Sequence, residues 1–341
     1  MSAYDDLQSR LKGKPMRWLV TGAAGFIGSH LVAKLLSSGQ EVIALDNLAT
    51  GHRRNIDEVN SMAEEAARGR LRFIEGDICD TKICEEACDG VNFVLHQAGL
   101  GSVPRSLEHP ADTHAANVTG TLNIMIAARA AGVKRMVYAS SSSVYGDDEG
   151  LPKLESRTGQ PLSPYALSKA MCESYSKVFW RCYGFSSLGL RYFNVFGPRQ
   201  DPEGPYAAVM PKWISALRKG SPVFINGDGS TSRDFCYVAN VVQANLLAAT
   251  ADHPDLGCQV FNVAFGDRTT LNELFYAIRE GLFEGDSTLC DVQPMYREFR
   301  PGDIKHSQAD IGEARRLLGY EPTHDIRAGL REALAWYVAN L

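Results

Sequence analysis

Arg17-Trp18-Leu19-Val20-Thr21-Gly22-Ala23-Ala24-Gly25-Phe26-Ile27-Gly28 reads as a short apolar strand that runs straight into a glycine turn, and Ser29 to Ser38 behind it reads as a helix. Glycines at 22, 25 and 28 leave the backbone bare where strand meets helix. A pyrophosphate can then approach the N–H groups and the partial positive charge of a helix N-terminus. Outward from this turn the alternation repeats. Glu41 to Asp46, Leu71 to Gly76, Val91 to Gln97, Arg135 to Ser140 and Ser187 to Phe193 read as strands, Cys84 to Cys88 as the end of a short helix, and Asp112 to Ala131 as a long helix. Strands and helices joined in this rhythm by short connections predict an α/β fold: a Rossmann-type, doubly wound parallel sheet with right-handed crossovers. A polar lead-in ending at Pro15 precedes it.

Beyond Asn194 the rhythm breaks into glycine- and proline-containing segments, with helices expected near 209–218 and 237–251. The expected organisation is a dinucleotide-binding domain over 1–190 and a smaller C-terminal α/β substrate-binding region over 191–341. Some of its segments return to the first domain.

Asp46 ends the second strand, 18 positions after Gly28. A carboxylate there can accept from adenosine ribose hydroxyls and would repel a 2′-phosphate, so NAD is expected rather than NADP. Asp77, after the third strand, is placed to approach the adenine edge, although strand-end aspartates also serve turns. Tyr165 and Lys169 supply a candidate base. In Ser163-Pro-Tyr-Ala-Leu-Ser-Lys169 they stand four residues apart, on one face of a helix, where an ammonium beside the phenol favours its ionised form.

The order GxxGxxG at 22–28, Ser140-Ser-Ser-Ser-Val-Tyr-Gly146 and YxxxK at 165–169 resembles the extended short-chain dehydrogenase/reductase family, over essentially the whole chain. Leu190-Arg-Tyr-Phe-Asn-Val-Phe-Gly197, Gly227-Asp-Gly-Ser-Thr-Ser-Arg-Asp-Phe235 and Arg300-Pro-Gly-Asp303 carry the resemblance through the second half, and it is strongest to nucleotide-sugar 4-epimerases. What this implies is a tightly held NAD that takes hydride from sugar C4 and returns it to the opposite face of a 4-keto intermediate. Tyr165 would remove the O4 proton, Lys169 would assist it and bind the nicotinamide ribose, and Ser141 would hydrogen-bond O4. The cofactor set implied is Gly22, Gly25, Phe26, Ile27, Gly28, Asp46, Asn47, Asp77, Ile78, Gln97, Asn117, Tyr165, Lys169 and Tyr192.

The serine run also separates related chemistries. Similar 4,6-dehydratases carry an Asp-Glu pair just before Val-Tyr-Gly, because losing water across C5 and C6 needs a further acid and base. This chain has Ser142 and Ser143 there. By the same resemblance Ser142, Ser143, Asn194, Lys212, Trp213 and Asn226 would contact the nucleotide sugar, with Trp213 equally suited to the core. Arg233 and Arg300 would meet the diphosphate, and Asp303 a ribose hydroxyl. Ser307 stands where epimerases limited to UDP-glucose and UDP-galactose often place a tyrosine, so it leaves room for an N-acetyl group. Leu100-Gly-Ser-Val-Pro-Arg-Ser106 resembles the loop of UDP-N-acetylglucosamine 4-epimerases of bacterial surface-polysaccharide pathways, and Gly101 and Ser102 would line the sugar site. UDP-N-acetylhexosaminuronates and UDP-glucose/UDP-galactose stay open as substrates, as do a net reductase and a non-catalytic nucleotide-binding scaffold.

Composition fits this picture. The 341 residues are 45% hydrophobic and 22% charged with a net charge of −5, which argues against a polyanion-binding surface such as one for nucleic acid. Met1-Ser-Ala-Tyr-Asp-Asp lacks the basic and apolar pattern of a signal peptide, and no apolar run reaches membrane-spanning length, so a cytoplasmic protein is expected. Eight scattered cysteines suggest neither a metal site nor a disulfide framework, and they are expected as small buried or partly buried thiols. The family resemblance also implies a homodimer through a four-helix interface. It would be built from the Asp112 to Ala131 helix and the one carrying Tyr165, with Met171, Val178 and Phe179 as apolar positions.

Overall fold

In the computed structural model, residues 2–63, 69–201, 208–283, 289–299 and 305–340 are described. Six parallel strands, β1 (Arg17–Thr21), β2 (Glu41–Asp46), β3 (Leu71–Glu75), β4 (Phe93–His96), β5 (Arg135–Ser141) and β6 (Ser187–Tyr192), are joined by a seventh, Val260–Val263, in the order Val260–Val263, β6, β5, β4, β1, β2, β3. The register pairs Thr21 with both Leu45 and His96, and Ser141 with Tyr192. All carboxyl ends therefore open on one edge. Strand order reverses between β1 and β4, and such a switch point is where open α/β sheets hold their ligands.

Strand alternation distributes the core to both faces. Trp18, Val20, Val42 and Ala44 are buried on one side, under the helices Phe26–Ser37 and Val238–Thr250. Leu19, Ile43, Leu45, Val94 and Met136 fill the other, with residues of the helices Thr81–Cys88, Gly120–Ala130 and Pro164–Tyr183. A third core, including Phe196, Trp213, Phe275, Ile278, Leu330 and Tyr337, organises the C-terminal region.

Four local features differ from the sequence reading. The polar lead-in is a helix, Ala3–Gly13, started by a reciprocal cap between Ser2 and Asp5 and fastened by buried Leu7 and Leu11. One i, i+4 pair is too short a stripe to stand out in a polar stretch. The nucleotide helix begins at Phe26, directly behind Gly25, rather than at Ser29. The long helix is interrupted: Pro110–His114 passes into a π-helical turn, Ala115–Thr119, before Gly120–Ala130. Finally, Cys79, Cys182 and Cys290 are exposed, whereas Cys84, Cys88, Cys172 and Cys236 are buried.

Candidate active site

A cleft of about 660 Å³ runs along the carboxyl edge of the sheet. Gly22, Gly25, Phe26, Ile27, Gly28, Asp46, Asn47, Asp77 and Ile78 line one end, and Ser141, Tyr165, Lys169, Tyr192 and Asn194 the other, with Gln97 and Gly101 also in its wall. The sequence motifs separated by more than a hundred residues thus face one space.

The dinucleotide end is built by close backbone contact. Gly22 has φ +64°, and a Cβ on Gly28 would lie 2.0 Å from the Gly22 carbonyl oxygen, so turn and helix touch only because both residues lack side chains. Gly25 caps the helix without a side-chain acceptor, which leaves the first-turn N–H groups for an anion. Asp46 accepts from the N–H groups of Ala24 (2.9 Å) and Leu48 (2.7 Å). Burial pushes its carboxyl pKa upward, opposed by these backbone donors. Two donors do not exhaust a carboxylate, so it retains acceptor capacity for vicinal hydroxyls. Asp77 accepts from the Cys79 N–H (2.7 Å) and the Asn47 amide (2.8 Å). Partial burial raises its pKa, but those bonds outweigh this and hold it below the ordinary carboxylate range. The bare glycine turn, the uncapped helix start and the strand-end acid together fit NAD. Asp46→Asn should lower affinity for NAD about tenfold or more and weaken rejection of NADP, because one acceptor and the repelling charge go together. Calorimetric titration of both dinucleotides into stripped protein checks it.

The catalytic end rests on two element boundaries. Ser163 caps the helix Pro164–Tyr183, its Oγ accepting from Ala166 N–H at 3.1 Å, and Pro164 occupies the first turn. Tyr165 and Lys169 then lie one turn apart, both facing the cleft. Lys169 is buried and donates to the Ala139 carbonyl at 2.8 Å, which fixes the ammonium at the end of β5 and leaves two of its three donors. Ser141, the last residue of β5, accepts from the Ser143 N–H at 3.1 Å. Its own proton is therefore free to be donated into the cleft. Asn194 lies beyond β6 with φ +31°, in the left-handed region, and its amide donates to the Asp234 carbonyl at 3.2 Å. Such strain is commonest at functional positions.

Several supports were not read from the sequence. Asn117, expected to touch the cofactor, lies in the π-helical turn and clamps Leu100 through both N–H and C=O (2.7 and 3.1 Å) while donating to Ser168 Oγ (3.0 Å). It holds the loop before Gly101 against the helix of Tyr165. Beneath it His96 is wholly buried, with its pKa pushed down to about 3 by burial and by the charge of Lys169. Thr121 Oγ1 donates to the Asn117 carbonyl at 2.6 Å, so it accepts from His96 Nε2–H (2.9 Å), and Nδ1 must accept from Thr21 Oγ1 (2.7 Å). This neutral imidazole ties the end of β1 to the π turn. At the cleft floor Tyr192 donates to Gln97 Oε1 (3.0 Å), and Asn245 donates to the Tyr192 hydroxyl (2.8 Å).

Other expected contacts sit elsewhere. Ser102 has φ +93° and spends its hydroxyl capping Val103–Glu108, and Ser142 and Ser143 begin a tight turn, Ser142–Tyr145; none of the three lines the cleft. Trp213 is buried against Phe275, edge to face at 6.2 Å, in the C-terminal core, while Lys212 on the same helix is exposed. Asn226 ends a short strand paired with Met295–Arg297. Arg233 donates to the carbonyls of Ser232 (3.0 Å) and Lys305 (3.2 Å). Ser307 pairs through its N–H with Ser232 (3.1 Å) in the same segment. Asp234 clamps that segment by accepting from Phe265, Gly266 and Ala309 N–H groups, and burial pushes its pKa up to about 7. Arg300 and Asp303 lie outside the described residues.

Known proteins share this fold. Residues 18–264 match the NAD dependent epimerase/dehydratase family, to which the chain belongs. The UDP-glucose 4-epimerase of Mycolicibacterium smegmatis is 35% identical over 94% of this chain and 98% of its own length. Among solved structures, the UDP-N-acetylglucosamine 4-epimerase of Methanobrevibacter ruminantium M1, in complex with UDP-N-acetylmuramic acid, superposes with a TM-score of 0.87 at 39% identity, covering 96% of this chain and 100% of the other. The Thermus thermophilus UDP-glucose 4-epimerase in complex with NAD gives 0.81 at 34% identity, with 96% and 100% covered. NAD is the cofactor of the cleft.

Proposed function

We propose that the protein interconverts UDP-sugars epimeric at C4, and that its principal pair is UDP-GlcNAc and UDP-GalNAc, supplied to surface-polysaccharide synthesis. The observation that carries the reaction type is the convergence of Ser141, Tyr165 and Lys169 on a cleft continuous with the glycine turn. Bound NAD supplies reversible hydride acceptance at C4. Tyr165 removes and returns the O4 proton, Ser141 donates a hydrogen bond to O4, and Lys169 orients the adjoining ribose. Ser142 and Ser143 in place of an acid pair leave no group for dehydration.

Gly101 in the cleft wall supports the N-acetylated sugar, as does the likeness to the Methanobrevibacter enzyme; Ser307 enters through the sequence resemblance alone, as a small residue where UDP-glucose/UDP-galactose epimerases often carry tyrosine. A Cβ on Gly101 would meet nothing within 4 Å, so that stretch of wall is open. Purified protein given UDP-GlcNAc without added cofactor should form UDP-GalNAc with no net NADH. Failure across UDP-hexoses and their uronates would reject epimerisation, and turnover of UDP-glucose alone would reject the acetylated substrate. Ser307→Tyr should cut kcat/KM for UDP-GlcNAc at least tenfold more than for UDP-galactose, by filling space on the C2 side. Equal losses would remove the gate.

The same reading includes a homodimer through paired helices. Ile126 on one of these helices is 47% exposed, and Leu167 and Val178 on the other are each 51% exposed, whereas Phe179 is buried. Val178→Glu should convert a dimer to a monomer in light scattering coupled to gel filtration. A wild-type monomer would rule out the pairing.

A further inference from the structure

Behind the cleft lies a buried ion pair to which the chemistry above gives no role. Glu173 and Arg191 are 6% and 3% exposed and meet through two bonds, Arg191 Nε to Oε1 at 2.9 Å and Nη2 to Oε2 at 2.8 Å. Stability is a weak reason for such a pair, because desolvating two charges offsets most of their attraction and apolar replacements of similar size are often neutral. Its connections are more specific. Glu173 Oε1 also accepts from Ser140 Oγ at 2.6 Å, beside Ser141, and Glu173 stands one turn beyond Lys169 on the helix of Tyr165. Arg191 precedes Tyr192 at the end of β6 and donates to the Glu155 carbonyl at 3.1 Å. Its guanidinium lies 4.9 Å from the ring centre of Tyr145, the residue that closes the turn whose Ser143 N–H orients Ser141. One carboxylate therefore joins the three segments that carry the site: the end of β5, the helix of the base and the end of β6.

We propose that Glu173 is a positioning residue for proton transfer at O4, setting the Ser141 hydroxyl against the Tyr165 phenol through Ser140 and Arg191. The inference rests on the 4-epimerase reading. Bond making at O4 depends on the last few tenths of an ångström between these two groups, while binding of the nucleotide does not. Loss of the strut should therefore appear in kcat and leave KM alone.

Three variants are compared with wild type: Ser140→Ala, which leaves both charged residues in place and deletes only the hydroxyl's bond to Glu173; Glu173→Gln, which keeps an acceptor for Ser140; and Glu173→Leu with Arg191→Met, which removes both buried charges together. Calorimetry with UDP and the NAD content of purified protein report whether each folds around its ligands. Expected are wild-type UDP affinity and NAD content, kcat lowered roughly 10- to 100-fold with KM within about twofold, in the range of general acid–base contributions. A C4-deuterium isotope effect on kcat should be larger than that of wild type, because bond breaking at C4 becomes more rate-limiting. A merely structural role would lower the active fraction and leave that isotope effect unmoved. Should Glu173→Gln fail to fold, Ser140→Ala and the double variant decide. Folded variants with kcat within twofold of wild type overturn the proposal for Glu173 alone; a wild-type protein inactive on all UDP-hexoses overturns the epimerase reading first.

Discussion

Tyr165→Phe should reduce kcat about a thousandfold while UDP affinity stays within about twofold. The substitution removes one oxygen and keeps the ring, so the half-buried packing at the start of the helix Pro164–Tyr183 is preserved. Among the described residues around this end of the cleft, neither the Tyr192 phenol nor the His96 imidazole stands ready to substitute. Tyr192, which also lines it, donates to Gln97 and accepts from Asn245, and burial raises its pKa further above the ordinary value. His96, buried behind the cleft, is neutral with both ring nitrogens engaged. Removing a positioned acid or base typically costs between a hundredfold and ten-thousandfold. The assay is conversion of the UDP-sugar followed by chromatography, beside calorimetric titration of UDP. Turnover within tenfold of wild type would show that another group takes the O4 proton, and a parallel loss of UDP binding would show that Tyr165 serves the substrate pocket instead.

The legible parts of this protein are those in which one residue type has one physical use. Glycines 22 and 28 announce themselves because no other residue allows the strand end and the helix to touch, and Asp46 follows because a strand-end carboxylate is the simplest acceptor for two hydroxyls. The YxxxK spacing puts Tyr165 and Lys169 one helical turn apart, and both line the cleft. Supports were hidden for the opposite reason. Glu173 and Arg191 look like surface charges in a linear reading, and only the parallel register of β5 and β6 brings Ser140 opposite Arg191. The π-helical turn has no compositional mark; its consequence is that Asn117 reaches Leu100 and Ser168 instead of the cleft wall. Ser102 was expected at the sugar because it is small and polar, yet the same hydroxyl is the right group to cap a helix, and capping is where it is used. Trp213 illustrates the general ambiguity of a large aromatic residue, whose burial against Phe275 the helix face alone determines.

Gly28→Ala should strip the protein of its cofactor although a single methyl group is added. The new Cβ would stand 2.0 Å from the Gly22 carbonyl oxygen, 2.7 Å from its carbon and 2.9 Å from the Ala23 Cα, all backbone atoms that cannot rotate away. Either the helix Phe26–Ser37 shifts outward or the turn at Gly22, held at φ +64° with Ala98 2.7 Å from where its own Cβ would be, opens. Both moves displace the N–H groups that would face the pyrophosphate. Overpacking of this kind costs about 1–3 kcal/mol of stability, and a loss of similar size in binding amounts to roughly a 5- to 150-fold weaker hold on NAD. The purified variant should therefore show less than about a fifth of the wild-type NAD content after denaturation and chromatography, with a melting temperature several degrees lower. Gly101→Ala is the matched comparison, because its Cβ meets open space and the same added methyl should leave NAD content and melting unchanged. A Gly28→Ala protein that purifies with full NAD would mean that the helix start is not where the dinucleotide is gripped, and the burden would pass to Asp46 and Lys169.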